Sequence, residues 1–210
     1  MNRIINRLRQ DNKEFVTYEE LRKYCKELYY NYKIISNYLI SRGYLVKILD
    51  DIFYLKTDDE IIQKKMKYSK LELVAMALKF SNISNWYYGL YTALELNNIN
   101  YETNDKFCYI INDRFSKIRP KKILGKKFRF LILKNEFFNF GIKNGVIKYS
   151  DPEKTILDLI YVWNYSKINE NKILVRLHKL LDGISEEKII KYLQYYPEST
   201  KAILEKGLRL

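Results

Sequence analysis

At 210 residues, with 47% hydrophobic and 15% aromatic content, the chain suits one large domain or two small ones and does not read as a disordered segment. Its net charge of +13 favours a polyanionic partner, because a phosphate backbone attracts Lys and Arg whatever its sequence, although basic character for solubility is the plain alternative. Cys25 and Cys108 are too few and too far apart for a disulfide framework, and no apolar run approaches the ~20 residues of a membrane span. The N-terminus has no signal-like apolar region, so the expected setting is the cytoplasm, with no membrane partner.

Ile4, Ile5 and Leu8 line one side of a short first helix. Thr17 and Glu20 have the spacing of a capping box, in which each side chain satisfies a free backbone donor of the other. Leu21, Tyr24, Cys25 and Leu28 then follow at helical intervals. A second helix is predicted from about Asn31 to Arg42, with Ile35 and Leu39 facing the core, Ile34 and Tyr38 beside them, and Gly43 as its left-handed stop. Asp50-Asp51 separates two runs rich in Leu, Ile, Val, Phe and Tyr, which reads as a hairpin. Helix, turn, helix and hairpin in that order predict a winged helix-turn-helix over residues 1–60. Its base-reading side chains would be Tyr32, Lys33, Ser36 and Asn37, and Arg42 and Lys47 would contact phosphates.

The polar stretch from Thr57 to Lys67 marks a domain boundary, and residues 67–210 read as a second domain of mixed α/β character. Ser69 and Glu72 form another capping-box pair before a helix carrying Leu73, Val74, Ala77 and Leu78. A further helix is predicted over Trp86 to Asn97, with Gly89 inside it at a cost of about 1 kcal/mol and a close packing contact as compensation. From about Lys106 to Tyr149 the pattern changes to short strands: Phe107 to Ile111, Lys127 to Leu133, and a hairpin at Asn144-Gly145, a pair suited to a type I′ turn. Ser150 and Glu153 form a third box, with Pro152 in the first turn of a helix that continues to Tyr161. Helices at about Glu170 to Leu181, Glu186 to Tyr195 and Ser199 to Lys206 complete an α+β chain with a small sheet and a C-terminal helical segment.

Little in the chain suggests an enzyme. The single histidine, His178, lies in a plain amphipathic helix, and it forms no zinc pattern with Cys25 and Cys108. The glycines make neither a Walker loop nor a dinucleotide fingerprint, so no cofactor and no metal are expected. Asp158, flanked by Leu157 and Leu159-Ile160, reads as a buried or half-buried carboxylate that caps nearby backbone.

The strongest charge density lies outside the first domain. Residues 1–56 hold 11 basic and 7 acidic residues, a net of +4. Arg114, Lys117, Arg119, Lys121, Lys122, Lys126, Lys127, Arg129 and Lys134 fall within 21 residues without one acid, with Phe115, Phe128 and Phe130 interleaved. This is either a functional basic surface or a lysine-rich strand face that guards a sheet edge.

Three stretches together, the predicted winged helix, Trp86-Tyr87-Tyr88-Gly89-Leu90-Tyr91-Thr92-Ala93-Leu94-Glu95-Leu96, and Tyr149-Ser150-Asp151-Pro152-Glu153-Lys154-Thr155-Ile156-Leu157-Asp158, make the chain resemble the AbiEi antitoxin family. Members are transcriptional regulators paired with nucleotidyltransferase-type toxins. The resemblance implies an N-terminal domain that binds double-stranded operator DNA and represses its own operon, and a C-terminal domain that carries antitoxicity. It implies no catalytic residues; Ser150, Asp151, Glu153 and Asp158 match the helix motif. The competing expectation is a docking module whose basic sheet holds an acidic protein.

Overall fold

The computed structural model describes residues 2–116 and 119–209, and the chain divides into two compact units at Ser84/Asn85. The sequence-based boundary at 57–67 is corrected by this division. The polar stretch is followed by α-helical chain that packs back on the first unit.

In the first unit, α1 (Asn2–Gln10) is followed by β1 (Phe15–Thr17), α2 (Tyr18–Glu27), α3 (Tyr32–Ser41), β2 (Leu45–Leu49), β3 (Ile52–Leu55), α4 (Asp58–Ile62) and α5 (Lys70–Phe80). The three strands form an antiparallel sheet in the order β1-β3-β2, with a register shift between Lys47 and Leu49. The core is Ile4, Ile5 and Leu8 of α1 with Leu21, Cys25, Ile35, Leu39, Leu45 and Phe53, so the apolar faces read from helical spacing are those that close together. The boxes at Thr17/Glu20 and Ser69/Glu72 form as read.

A further box, Thr57/Glu60, opens α4 where the sequence reads as a linker. Glu60 is 5% exposed there. Its carboxylate accepts from the Thr57 and Lys67 backbone N–H groups and from the Tyr54 hydroxyl. A charge that would otherwise be solvated is thereby enclosed, and it ties the polar stretch to β3. α5 packs against β2, and Phe80 at its end lies 6.1 Å from the Phe15 ring.

The second unit runs β4 (Trp86–Tyr88), α6 (Leu90–Leu96), β5 (Phe107–Asn112), β6 (Lys121–Ile123), β7 (Lys126–Ile132), a 3-10 turn (Asn135–Phe138), β8 (Ile142–Lys143), β9 (Tyr149–Ser150), α7 (Pro152–Tyr165), α8 (Glu170–His178), α9 (Glu186–Leu193) and α10 (Glu198–Leu208). Its six strands form one mixed sheet in the order β6-β7-β5-β4-β9-β8, with β5/β7 and β4/β9 parallel. Tyr87, Tyr109, Ile111 and Leu131 on one face pack with Leu90, Leu94, Ile156, Ile160 and Trp163. Trp86, Tyr88, Cys108, Ile110, Phe128 and Phe130 alternate with them along the strands and are also buried. Mixed α+β architecture is therefore as expected, but the sheet is larger than the sequence suggested.

Three local expectations are corrected. Trp86–Tyr88 is a strand, not the start of a helix: its side chains are buried on both faces, so it lacks the alternation that announces a strand. Gly89 is the extended N-cap that follows it. A Cβ there would come within 2.7 Å of Ile111 Cγ1, which is the close contact anticipated, at a different position in the element. Asn144-Gly145 is not a type I′ turn, since neither residue has a positive φ; the strands around it pair as Ile142 with Ser150 and Lys143 with Tyr149, across a longer loop. The hairpin turn with positive φ at both central residues is instead Leu124-Gly125, at 51° and 82°, between β6 and β7. Finally, α7 begins one residue later than the Ser150/Glu153 box requires: Asp151 is the N-cap, and its carboxylate accepts from the Lys154 N–H at 2.9 Å.

Candidate nucleic-acid interface

α3 is positioned by three local devices. Asn31 caps its N-terminus by accepting from the Ile34 N–H at 3.3 Å. Ile35 and Leu39 anchor one face in the core. Gly43, with φ of 76°, ends the helix, and a residue with a Cβ would be strained there. The face left outside carries Lys33, Ile34, Asn37, Ile40 and Ser41, with Arg42 beyond them and Lys47 exposed on β2.

Four of the six residues singled out from the sequence are therefore exposed: Lys33, Asn37, Arg42 and Lys47. Tyr32 is half-buried, and its ring meets Tyr18 edge-on at 4.7 Å. Burial pushes its hydroxyl pKa up. Ser36 is a correction. It is 6% exposed and its hydroxyl donates to the Lys33 carbonyl at 3.3 Å, so it faces inward, next to Ile35.

Ile34 is the converse. The sequence reading set it near the core, yet it is 64% exposed between Lys33 and Asn37. Tyr29, in the turn before α3, is 97% exposed with a positive φ of 57°. No apolar periodicity identifies either residue. The signal available was the 3.6-residue spacing itself, which puts Ile34, Asn37 and Ser41 on one stripe.

The basic segment of the second unit is divided by strand alternation. Lys122 pairs across the ladder with Lys127, and Arg129 lies two residues farther along on the same face. The Arg129 guanidinium stands 4.2 Å from the Phe107 ring centre. Lys121 pairs with Phe128 and, like Lys126, belongs to the other face. Arg114 and Arg119 are exposed in the segment before β6, Lys134 is exposed after β7, and Lys117 lies outside the described residues. Phe128 and Phe130 are 0% and 1% exposed, so they are core residues and offer no surface for stacking bases. The stretch is one continuous charge run in sequence but several separate patches in space.

The motif at the start of α7 has become a buried lock. Asp158 is not capping backbone, as the sequence reading had it. Its carboxylate accepts from the hydroxyls of Tyr87 at 2.8 Å and Tyr196 at 2.6 Å, and from Lys154 Nζ at 3.3 Å. Lys154 is fully buried, with its ammonium 4.3 Å from the Phe140 ring centre and 4.8 Å from that of Tyr87. Burial lowers the Lys154 pKa, and the Asp158 charge acts against that shift. Around this pair, Lys188 Nζ bridges Asp151 at 2.9 Å and Glu153 at 2.8 Å, and Tyr192 donates to Asp151 at 3.0 Å. Both members of the central pair are shut off from solvent, so the arrangement fixes β4, α7, α9 and the segment before α10 to one another. His178 is on the exposed face of α8. Among the described residues no group of three His, Cys, Asp or Glu side chains stands together, and no helix is long and apolar enough to cross a membrane.

No family model and no curated protein matches the sequence. Among solved structures the chain is similar to the RV2827C protein from Mycobacterium tuberculosis, at 13% identity and a TM-score of 0.54, over 98% of this chain and 76% of that one. At that identity the likeness is one of fold.

Proposed function

We propose that the first unit is a winged helix-turn-helix that binds double-stranded DNA, and that the protein is a transcriptional repressor acting by binding alone. The observation that carries this reading is α3. It is the second helix of a close pair, is followed by a β-hairpin, and is anchored by Ile35 and Leu39, with Lys33, Asn37 and Ser41 facing out beside the exposed Ile34 and Ile40. A helix of this kind fits the major groove, where Asn is suited to adenine and lysines to guanine or phosphate. Asn37 is the base reader in this proposal, with Lys33 beside it and Arg42 and Lys47 on phosphates.

The test is a gel shift with the DNA upstream of the protein's own coding sequence against random duplex, at two salt concentrations. Preferential binding of the upstream DNA is expected, and equal binding of both duplexes would sink the reading. Asn37→Ala should lose about 1–3 kcal/mol of discrimination between the two. Lys47→Ala should lower the log–log salt slope by about 0.9 if that ammonium neutralises one phosphate.

The antitoxin role is the further part of the proposal. It is supported by the resemblance over Trp86–Leu96 and Tyr149–Asp158, and it assigns to the second unit the neutralisation of a nucleotidyltransferase-type toxin encoded nearby. Co-expression with the neighbouring gene product should relieve that product's toxicity. A second reading, docking of an acidic protein, is favoured by the Lys122/Lys127/Arg129 face. Co-purification of an acidic partner that Lys127→Ala and Arg129→Ala release would support it.

A further inference from the structure

A cavity of about 600 Å³ opens in the second unit between α6, the segment leading to β5, and the turn that joins β6 to β7. Its size falls in the range of small-molecule sites. Tyr91, Tyr101 and Phe107 supply its aromatic lining, and Tyr91 and Tyr101 are stacked with ring centres 5.9 Å apart. Lys106, Lys126 and Lys127 also line it and are exposed.

The two acids in the lining offset part of this charge without reversing it. The Asp105 carboxylate accepts from two neutral donors, the Tyr109 hydroxyl and the Phe107 N–H. Glu95 and Asp105 together stand against three lysines, so the lining keeps a net charge of +1. Gly125 brings backbone without a side chain to the lining, immediately before Lys126.

We infer that this cavity binds a nucleoside phosphate, with the base against Tyr101 and the phosphates at Gly125 and Lys127. A planar heteroaromatic group and a compact polyanion are the two chemistries that this lining offers together. Base stacking on an aromatic side chain is tolerant of base identity, so the class of ligand is defined more sharply than the base. The inference does not rest on the DNA-binding proposal, because it concerns a free nucleotide and a different unit of the chain.

Isothermal titration of the full chain with each of ATP, GTP, CTP and UTP is the test, with adenosine and inorganic triphosphate as the separate halves of the ligand. Saturable one-to-one binding of at least one nucleotide is expected, at least tenfold tighter than either half. Tyr101→Ala and Lys127→Ala should each weaken it by about tenfold, while Tyr101→Phe keeps it, in line with the worth of one stacking contact. Lys191→Ala, on the exposed side of α9, should change nothing. Lys127 is exposed, so its variant tests the site even if Tyr101→Ala perturbs the fold, which circular dichroism would reveal. Equal binding of inorganic triphosphate and nucleotide would overturn the inference in favour of a plain polyanion surface. So would no binding of any nucleotide at millimolar concentration, or unchanged affinity in Lys127→Ala.

Discussion

Asp158 and Lys154 are both fully buried, so each depends on the other for its charge. Taking away one partner of such a pair leaves an uncompensated ion in the interior, which costs about 3–5 kcal/mol. Asp158→Ala should lower the unfolding free energy by that amount in urea titration. Asp158→Asn should cost less, since its carbonyl still accepts from one tyrosine hydroxyl and its amide can donate to the other. Equal losses would mean that the tyrosine hydrogen bonds contribute nothing beyond the ion pair. Sequence pointed to Asp158 because a carboxylate between leucines is unusual. Its three partners lie on β4, on α7 itself and before α10, and only the fold brings Tyr87 and Tyr196 to it. Lys154 attracted no notice, since a lysine in the first turn of a helix reads as solvated.

At the scale of elements, caps were the most legible features. A capping box needs only two side chains three residues apart, and Thr17/Glu20 and Ser69/Glu72 form as their spacing suggests. The turn into α6 was not legible. Gly89 and Leu90 form a tight strand-to-helix junction, and Leu90 takes a φ of 52° while nearly fully buried. For a bulky side chain that conformation is strained and persists only because the surroundings impose it. Gly89→Ala should destabilise the protein by about 1–3 kcal/mol, the cost of overpacking against Ile111, visible as a lower melting temperature. Gly43→Ala should cost about 1 kcal/mol for a different reason: nothing crowds a Cβ there, and the penalty comes from the positive φ alone. On α3, helical spacing identified the outward stripe of Lys33 and Asn37. It gave Ser36 and Ile34 the wrong sides because a single helix turn offers no independent check on which edge of the apolar stripe meets the sheet.

The whole molecule responds to pH through carboxylates held in the folded state. For Glu60, burial raises the pKa, but the N–H groups of Lys67 and Thr57 and the Tyr54 hydroxyl outweigh it and leave the group below its ordinary 4.5. Glu20 and Glu153 are also lowered, burial being overcome by Lys13 in one case and Lys188 in the other. Groups with depressed folded pKa values contribute stability that is present above about pH 4.5 and lost as pH falls through the folded values. Unfolding free energy should therefore decline on acidification below pH 4.5, and the gap between wild type and Glu60→Gln should narrow over the same window. The division at Ser84/Asn85 gives a second measurement. A fragment of residues 1–84 should resist denaturant better than one of residues 1–67, because the shorter one lacks α5 and its packing on β2.

Sequence by itself determined the α+β class, the basic balance, the helix starts at Thr17 and Ser69, and the helix-helix-hairpin order of the first unit. Each of these rests on side chains within a few residues of one another, where spacing and propensity decide. Tertiary structure decided the rest: that Trp86–Tyr88 is a central strand, that one charge run becomes separate patches, that Lys154 is buried, and that a cavity opens beside Tyr101 and Lys127. Those outcomes depend on partners far away in the chain, and local periodicity carries no record of which distant surface will cover a residue.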